Sequence, residues 1–559
     1  MSLFSVLSTG TRGLSASQLA MNIVGQNISN ADVEGYSRKR LNLSADYRYD
    51  PFHGQIGTGV EVINIERYRN EYIDQQIRKQ NQMLGMYEET DYTLQSIENI
   101  FVEPSETGIL HFVDQFFDSW QNLANNPSDP SARTMVKTNG EILLDVFHNA
   151  AYQLQDLRQT RNDEIHNRVN SVNQIIKEIH NLNTEIGSVE IGNQNANDSR
   201  DKRDQLLKDL SQIIGIETIE NELGQITVTT GGNILVSPVN YQELETTTTT
   251  FKLADGTTQM DIGIRFSSSK RVYTPSGGQL RGLIESRDKI IPHYQTQLDT
   301  LAISIVETVN DQHKEGYNLN GFSGIAFFDE LVTGASDINL SAAIRTDIQN
   351  IATASGNQIH PAAQNSLPAS SHDFGIDPIQ LYTDPSATPL VNAKNIVQGT
   401  VLVSTTSNAL IEGVDYHVDY ANGTIQMLHD GYDSEDLTVN FQYRTGGFAG
   451  PGDNSNALEI AKLRDKLIMN PDVLGNGSST FAEYYGAMIG ELGLSRNEAS
   501  SNLETRTFLV DQYEAQQDSI SGVSLDEEMA NLIKYQHTYQ AAARLITTTN
   551  SMLDVLLNM

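Results

Sequence analysis

A few clusters in this 559-residue chain have residue types that could do chemistry. Gly447-x-x-Gly450-x-Gly452 stands between a strand-like run and a helix, where glycines would let backbone amides close around a phosphate. It lacks the Gly-Lys-Ser/Thr ending of a nucleotide loop and the glycine order of a dinucleotide fold, and Asp453 and Asn454 would set a carboxylate against the anion. A re-entry linker with Asp453 or Ser455 capping the next helix is the better reading. Asp419 to Gly423 holds Asp, Asn and Gly without the alternation of a calcium loop. Trp120 with Phe112, Phe116 and Phe117 could line a ligand box, but their spacing suits a helix core. The 12 histidines are scattered, with no H-E-x-x-H and no close pair at metal-ligand spacing, and there is no G-x-S-x-G elbow. Carboxylates are so numerous that chance pairs carry no glycosidase signal. Cysteine is absent, which removes disulfides, thiolate catalysis and Cys-ligated zinc or iron–sulfur sites. These residues call for no enzyme, no cofactor and no metal.

The function must then come from the elements themselves. The length predicts three or four domains. Acidic residues outnumber basic ones by 71 to 37, a net charge of −34 that repels phosphate backbones and anionic lipid heads. Nucleic acid is therefore a poor partner. No run approaches 18 consecutive apolar residues, so no membrane insertion is expected. The first basic residue is Arg12 and small polar residues break every apolar run before it, so a cleaved secretory signal is not expected.

The clearest periodicity lies at the two ends. Leu3, Leu7, Gly10, Leu14, Ser17, Met21, Val24 and Ile28 recur at alternating spacings of four and three, as do Leu525, Met529, Leu532, Gln536, Tyr539, Ala543, Ile546, Asn550, Leu553 and Leu557. That is the seam of helices that pack along each other. Each seam is weak alone, the first broken by Gly10, Gly13 and Gly25, the second diluted by Gln536, Ala543 and Asn550. The first carries Arg12, Arg38, Lys39 and Arg40 against Asp32 and Glu34; the second carries Asp526, Glu527, Glu528 and Asp554 against Lys534 and Arg544. Opposite charge and shared period predict that the ends pair, with Ser524 and Glu527 in capping-box spacing at the start of the second helix. Residues 27–38, rich in Asn, Asp and Gly, should stop the first helix and turn the chain.

Inboard, a strand-like run at 59–65 precedes a helix carrying Ile73, Ile77, Leu84 and Leu94. Residues 131–187 contain no proline, and Leu143, Phe147, Ala150, Leu154 and Leu157 continue, after a slip of eight, as Ile165, Val169, Val172, Ile176 and Ile179. A helix of that reach would be about 80 Å long. A helix is expected at 198–214, strands at 216–275, a helix at 279–315, short strands at 336–446 and further helices at 453–520. The expected fold is α+β and multi-domain, a coiled-coil-like rod of long helices formed by both chain ends with β-rich outer domains inserted. Its parts are 1–40 with 520–559, innermost; 41–215 with 447–519, a helical rod; 216–335, β-rich with a helix; and 336–446, a β-rich outer insert.

Two stretches resemble a known family. Asn27-Ile28-Ser29-Asn30-Ala31-Asp32 followed by Gly35-Tyr36-Ser37-Arg38, and SLDEEMANLIKYQHTYQAAARLITTTNSMLDVLL at 524–557, resemble the terminal signatures of bacterial flagellar rod, hook and hook-associated axial proteins. Tyr36-Ser37-Arg38, Leu123-Ala124-Asn125-Asn126-Pro127 leading to Ala132-Arg133, Arg203-Asp204, and Gly452-Asp453-Asn454-Ser455-Asn456-Ala457 resemble the hook-associated members at the hook–filament junction. The likeness covers roughly 1–335 and 447–559. It implies a structural protein outside the cell, exported by the flagellar type III apparatus and polymerising with itself at the hook tip so that the filament can grow.

The partners it implies are the hook protein, a second junction protein, and an export chaperone on the C-terminal helix. The assembly interface would comprise Leu3, Leu7, Leu14, Met21, Val24, Asn27, Ile28, Asn30, Gly35 and Tyr36 with Leu525, Met529, Leu532, Tyr539, Ile546, Leu553 and Leu557. Another axial protein of hook type is the nearest alternative; a surface adhesin using the β-rich domains is the other.

Overall fold

The computed structural model describes residues 3–557 except 51–53, 102–104, 106–107, 193, 253–257, 472–476 and several stretches between 356 and 451. The side chains of Leu3 and Leu557, and Gly447, lie outside the described residues. The chain opens with α1 (Leu3–Ser29) and a ribbon of β1 (Lys39–Asp50) and β2 (Gly54–Arg67). Then come α2 (Glu71–Phe101), α3 (Ile109–Asn125), α4 (Pro130–Glu190) and α5 (Asn197–Ile213). Five strands follow: β3 (Glu217–Glu220), β4 (Ile226–Thr230), β5 (Asn233–Val236), β6 (Leu244–Lys252) and β7 (Thr258–Phe266). α6 (Gln279–Glu285) runs through one π-helical turn (Ser286–Ile290) into α7 (Ile291–Glu315), and a short α8 (Ala342–Thr346) precedes the outer insert.

The insert holds β8 (Ile359–Pro361), β9 (Asn365–Leu367), β10 (Ile379–Gln380), β11 (Leu402–Ser404), β12 (Tyr416–Asp419), β13 (Thr424–Met427), β14 (Leu437–Asn440) and β15 (Gln442–Arg444). The chain returns through α9 (Ser455–Lys462) and α10 (Phe481–Ser521) and ends in α11 (Leu525–Leu557). The sheets are small and antiparallel, with strand orders β3-β4-β5, β10-β13-β12 and β11-β14-β9 and the pairs β1-β2, β6-β7 and β15-β8. The strand expected at 59–65 is one arm of a longer ribbon, paired from Lys39↔Arg67 to Asp50↔Gly54 with two bulges.

The long helices start where capping chemistry allows. Asp129 accepts from the Ser131 amide at 2.9 Å with Pro130 at the first helical position of α4, and Thr480 and Glu483 form a reciprocal capping box on α10. At α11 only half of the expected box is present, Glu527 N–H to Ser524 Oγ at 3.5 Å.

Among the described residues three large apolar cores follow, with a small fourth cluster at Leu182, Ile186 and Ala196. The first packs the end of α2, α3, the first half of α4, α7, α9 and α10, and takes in Ile338, Leu340, Ile344 and Ile351. Trp120, Phe116 and Phe117 sit fully inside it, with Phe112 half-buried at its edge, so the aromatic stripe is packing. The second joins the later half of α4 to α5, α6 and strands β4–β7. The third belongs to the insert alone, from Leu381 to Phe441.

Candidate assembly interface

The two ends do lie together: α1 runs along α11. Gly10 makes the close approach possible, since a Cβ there would stand 2.9 Å from Ile546 Cγ1, whereas one on Gly13 would meet the Ala542 Cβ at an ordinary 3.8 Å. The buried stripe of α1 is Gly10, Ala16, Ser17, Ala20, Ile23, Val24 and Asn27, rotated slightly from the expected seam, so Leu7, Leu14, Met21 and Ile28 flank it half-buried. On α11 only Glu528 and Thr549 are buried among the described residues. Leu532, Tyr539, Ile546 and Leu553 are half-buried, while Leu525 and Met529 are exposed at 53% and 50%. Ile533, Leu545, Met552, Val555 and Leu556 also face solvent, as does Phe4 of α1. The pair buries one seam and leaves apolar side chains open on both flanks of α11, Leu525, Met529 and Ile533 on one and Leu545, Met552 and Leu556 on the other.

The turn after α1 anchors the pair to the body. Gly35 adopts φ +79°, the left-handed conformation that a side chain disfavours. Asn27 donates to Lys39 O at 2.9 Å and to Glu528 Oε2 at 3.1 Å, and its own Oδ1 accepts from Lys39 N–H at 3.0 Å and Tyr36 Oη at 2.8 Å. Asn30 and Tyr36 are half-buried in this turn. Burial, then the charges of Asp198 and Asp201, pushes the Tyr36 hydroxyl up to about 12, so it stays a donor. Arg38 joins the two ends of the chain, its Nε 2.8 Å from Glu528 and Nη1 2.7 Å from Glu527, while its amide donates to Ser521 O at 2.8 Å.

Behind it, Ser37 N–H donates to Asp201 at 3.2 Å, Arg67 bridges Asp201 and Asp204 at 2.7 and 3.0 Å, and Arg69 holds Asp74 at 2.6 Å. Burial would raise the Asp204 carboxyl, but Arg69, Arg67 and Arg203 outweigh it and hold it below the usual range. Tyr36-Ser37-Arg38 and Arg203-Asp204, far apart in sequence, therefore meet at one latch.

The remaining motifs meet at a second place, the base of the insert. Arg133 donates to Pro127 O at 2.9 Å, Ile351 O at 2.6 Å and Thr353 Oγ1 at 2.9 Å. Asn454 reaches Ala124 O at 2.7 Å, Asn456 Nδ2 reaches Ala352 O at 2.9 Å, and Ser355 N–H donates to Asp453 at 2.9 Å. Asn454 occupies the cap position of α9 with its side chain turned away to Ala124, and the Asp453 carboxylate accepts the Ser455 N–H at 3.0 Å, so the capping bond at the start of α9 comes from Asp453. The glycine-rich re-entry thus runs into a clamp, not a phosphate cradle. Among the described residues there is no group of three or more side chains able to hold a metal. No helix is long and apolar enough to cross a membrane.

A chain whose first and last helices pair and latch onto an elongated helical body has the form of a flagellar axial protein. Residues 7–36 match the flagella basal body rod protein family, and residues 512–559 match the C-terminal family of the rod proteins FlgEFG. Residues 94–328 match the helical domain of the flagellar hook-associated protein FlgK.

Flagellar hook-associated protein 1 of Bacillus subtilis is 27% identical, with 100% of this chain and 98% of the relative covered. That of Salmonella typhimurium is 28% identical, with 99% of each covered. The solved flagellar hook junction protein FlgK of Burkholderia pseudomallei superimposes with a TM-score of 0.58, covering 80% of this chain and 100% of its own at 19% identity, a likeness of fold. Over its whole length the chain is thus similar to flagellar hook-associated protein 1, and its residues 94–328 match the helical domain of that protein.

Proposed function

We propose that the chain is a structural subunit of the bacterial flagellum at the hook–filament junction, polymerising at the hook tip so that the filament can assemble on it. The observation that carries this is the α1–α11 pair, which satisfies one seam and leaves Leu525, Met529, Ile533, Leu545, Met552, Val555 and Leu556 without cover. Exposed large apolar side chains grouped on the flanks of one helix mark interaction surfaces. Ordering helices costs roughly 1–2 kcal/mol per residue, and each buried large side chain returns roughly 1.5–3 kcal/mol, so the pair becomes firm when neighbours cover it. The interface is Leu3, Leu7, Leu14, Met21, Val24 and Ile28 with Leu525, Met529, Leu532, Tyr539, Ile546, Leu553 and Leu557, and Asn27, Asn30, Gly35 and Tyr36 set the angle of the pair.

Hook protein below, a second junction protein above, an export chaperone on α11 and the type III export apparatus, without a cleaved signal, complete the reading. The body divides into the terminal pair, the helical rod, the 216–335 region and the outer insert, whose near end the first core's reach to Ile351 supports drawing at about 355.

Electron microscopy of a strain lacking this chain tests the role, with flagellin assayed in the medium. Bare hooks with flagellin lost to the medium are expected, and complementation by a Met552→Glu/Val555→Glu variant should fail to restore filaments. Normal filaments in the deletion strain would sink the reading.

A further inference from the structure

Between the first and second apolar cores the molecule passes through a layer of buried charge. Four continuous helical elements cross it, α10 among them, which runs along α2 past Glu89 between its Arg496–Glu98 and Arg506–Gln80 contacts. α4 leaves the first core at Leu154 and enters the second at Ile165, and between them Arg158, Arg161 and Asn162 are buried. The chain from α6 to α7 leaves the second core at Leu283 and enters the first at Ile291, and between them lie the π-helical turn and buried Ser286 and Arg287. From α2 comes buried Glu89.

The layer is stitched by polar contacts. Arg158 meets Asp261 at 2.9 Å, and Arg161 meets Glu89 at 3.2 Å and Glu164 at 2.8 Å. Asn162 donates to Met260 O at 2.7 Å and accepts from Ile262 N–H at 3.1 Å and Arg287 at 3.0 Å. The stitching is incomplete, for the buried Arg161 Nε, Asp261 Oδ1 and Ser286 Oγ meet no hydrogen-bond partner.

We propose that this layer is a bending joint in the long axis of the molecule, the level at which the two apolar bodies move against each other. Interdigitated apolar cores are stiff, whereas a buried ion pair returns little beyond its own desolvation, so the layer holds its helices less firmly than either core. A π-helical turn breaks the helical register of α6–α7 at this same level, and such turns concentrate at functional sites.

The environment of Glu89 agrees. Burial, then the charge of Glu164, pushes its carboxyl up to about 7 against Arg161 and Arg168 of α4, with Glu88 of its own helix adding to the rise, so its hold on Arg161 is easily lost. The use of the joint rests on the assembly reading, in which a polymerised subunit must fit against neighbouring copies. The joint itself is tested on the full chain alone, so its failure would leave the assembly role standing.

Hydrogen exchange along α4 reads it directly. Amides 158–165 are expected to exchange about tenfold faster than amides 143–150 and 169–176 of the same helix. Glu89→Gln should raise the ratio of joint to flank, and Glu89→Met/Arg161→Met, which replaces ion pair by packing, should lower it. Emission of Trp120, the only tryptophan, checks that each variant keeps its first core. Uniform protection along α4 in the unaltered chain overturns the joint. Fast exchange at 158–165 that Glu89→Gln does not alter overturns its ionic basis, even if the double variant fails to fold.

Discussion

Arg133 is a guanidinium buried without any carboxylate at its tip; its three acceptors are Pro127 O, Ile351 O and Thr353 Oγ1. Burial pulls it down to about 10, well below a free arginine, so it stays charged at neutral pH while losing much of its solvation. Arg133→Met keeps the volume and strands two buried acceptors and a half-buried third, and should cost about 2–4 kcal/mol in urea unfolding followed by Trp120 emission. Arg133→Lys should recover little of that, because a single ammonium cannot span three divergent acceptors.

Next to it, His313 donates from Nδ1 to Ile325 O at 2.6 Å, and its Nε2 accepts from Ala352 N–H at 2.8 Å, an arrangement only a neutral ring permits. Burial, with Arg133 adding, lowers it to about 4. The unfolded chain then takes up this proton first. Its contribution is full above about pH 6.5 and is lost as pH falls toward 4, roughly 3 kcal/mol in all. A His313 ring resonance that titrates near 6.5 in the folded chain would contradict this.

At the scale of elements, the contact of α1 with α11 depends on which glycine is touched. Gly10→Val places a branched side chain against Ile546 and should separate the helices, lowering terminal helicity by circular dichroism and loosening residues 3–29 in hydrogen exchange. A Cβ on Gly25 would meet nothing within 4 Å, so Gly25→Ala should stabilise α1 by up to about 1 kcal/mol through helix propensity alone.

The long helices were legible in the sequence because a period sustained over several turns outweighs any local signal. The slip of eight between Leu157 and Ile165 even marks where α4 passes from one core to the next. β1 was not legible: Leu43 and Tyr47 remain exposed on a two-stranded ribbon, so its alternation carries no clean apolar face. Strands of two to four residues in the insert are too short for any period. The latch was half legible, since Tyr36-Ser37-Arg38 and Arg203-Asp204 stood out as motifs. That Arg67 and Arg69 bridge them is a long-range fact that spacing does not encode.

The molecule as a whole is one helical body interrupted once, and the interruption is closed at its neck. Ser355 N–H bonds Asp453, and Asn456 and Ala457 donate their amides to Thr353 O at 3.0 and 3.2 Å, so the outgoing and returning chains touch before the insert begins. The apolar residues beyond that neck, Leu381 to Phe441, pack among themselves in a core that shares no member with the helical ones. Chain ends already in contact make closure cheap, because loop entropy grows only slowly with length.

Deleting residues 356–452 and joining Ser355 to Asp453 through about three Gly/Ser residues should therefore leave the helical body folded. Trp120 emission and the cooperativity of thermal unfolding should be unchanged, and the melting temperature should stay within a few degrees of the full chain. Carried into a strain lacking the chain, the shortened protein should still support filaments if assembly resides in α1 and α11, whereas an adhesive role lodged in the insert would disappear with it. A shortened chain that no longer melts cooperatively would show instead that the insert braces the neck, and that Arg133 and Asn456 do not hold it unaided.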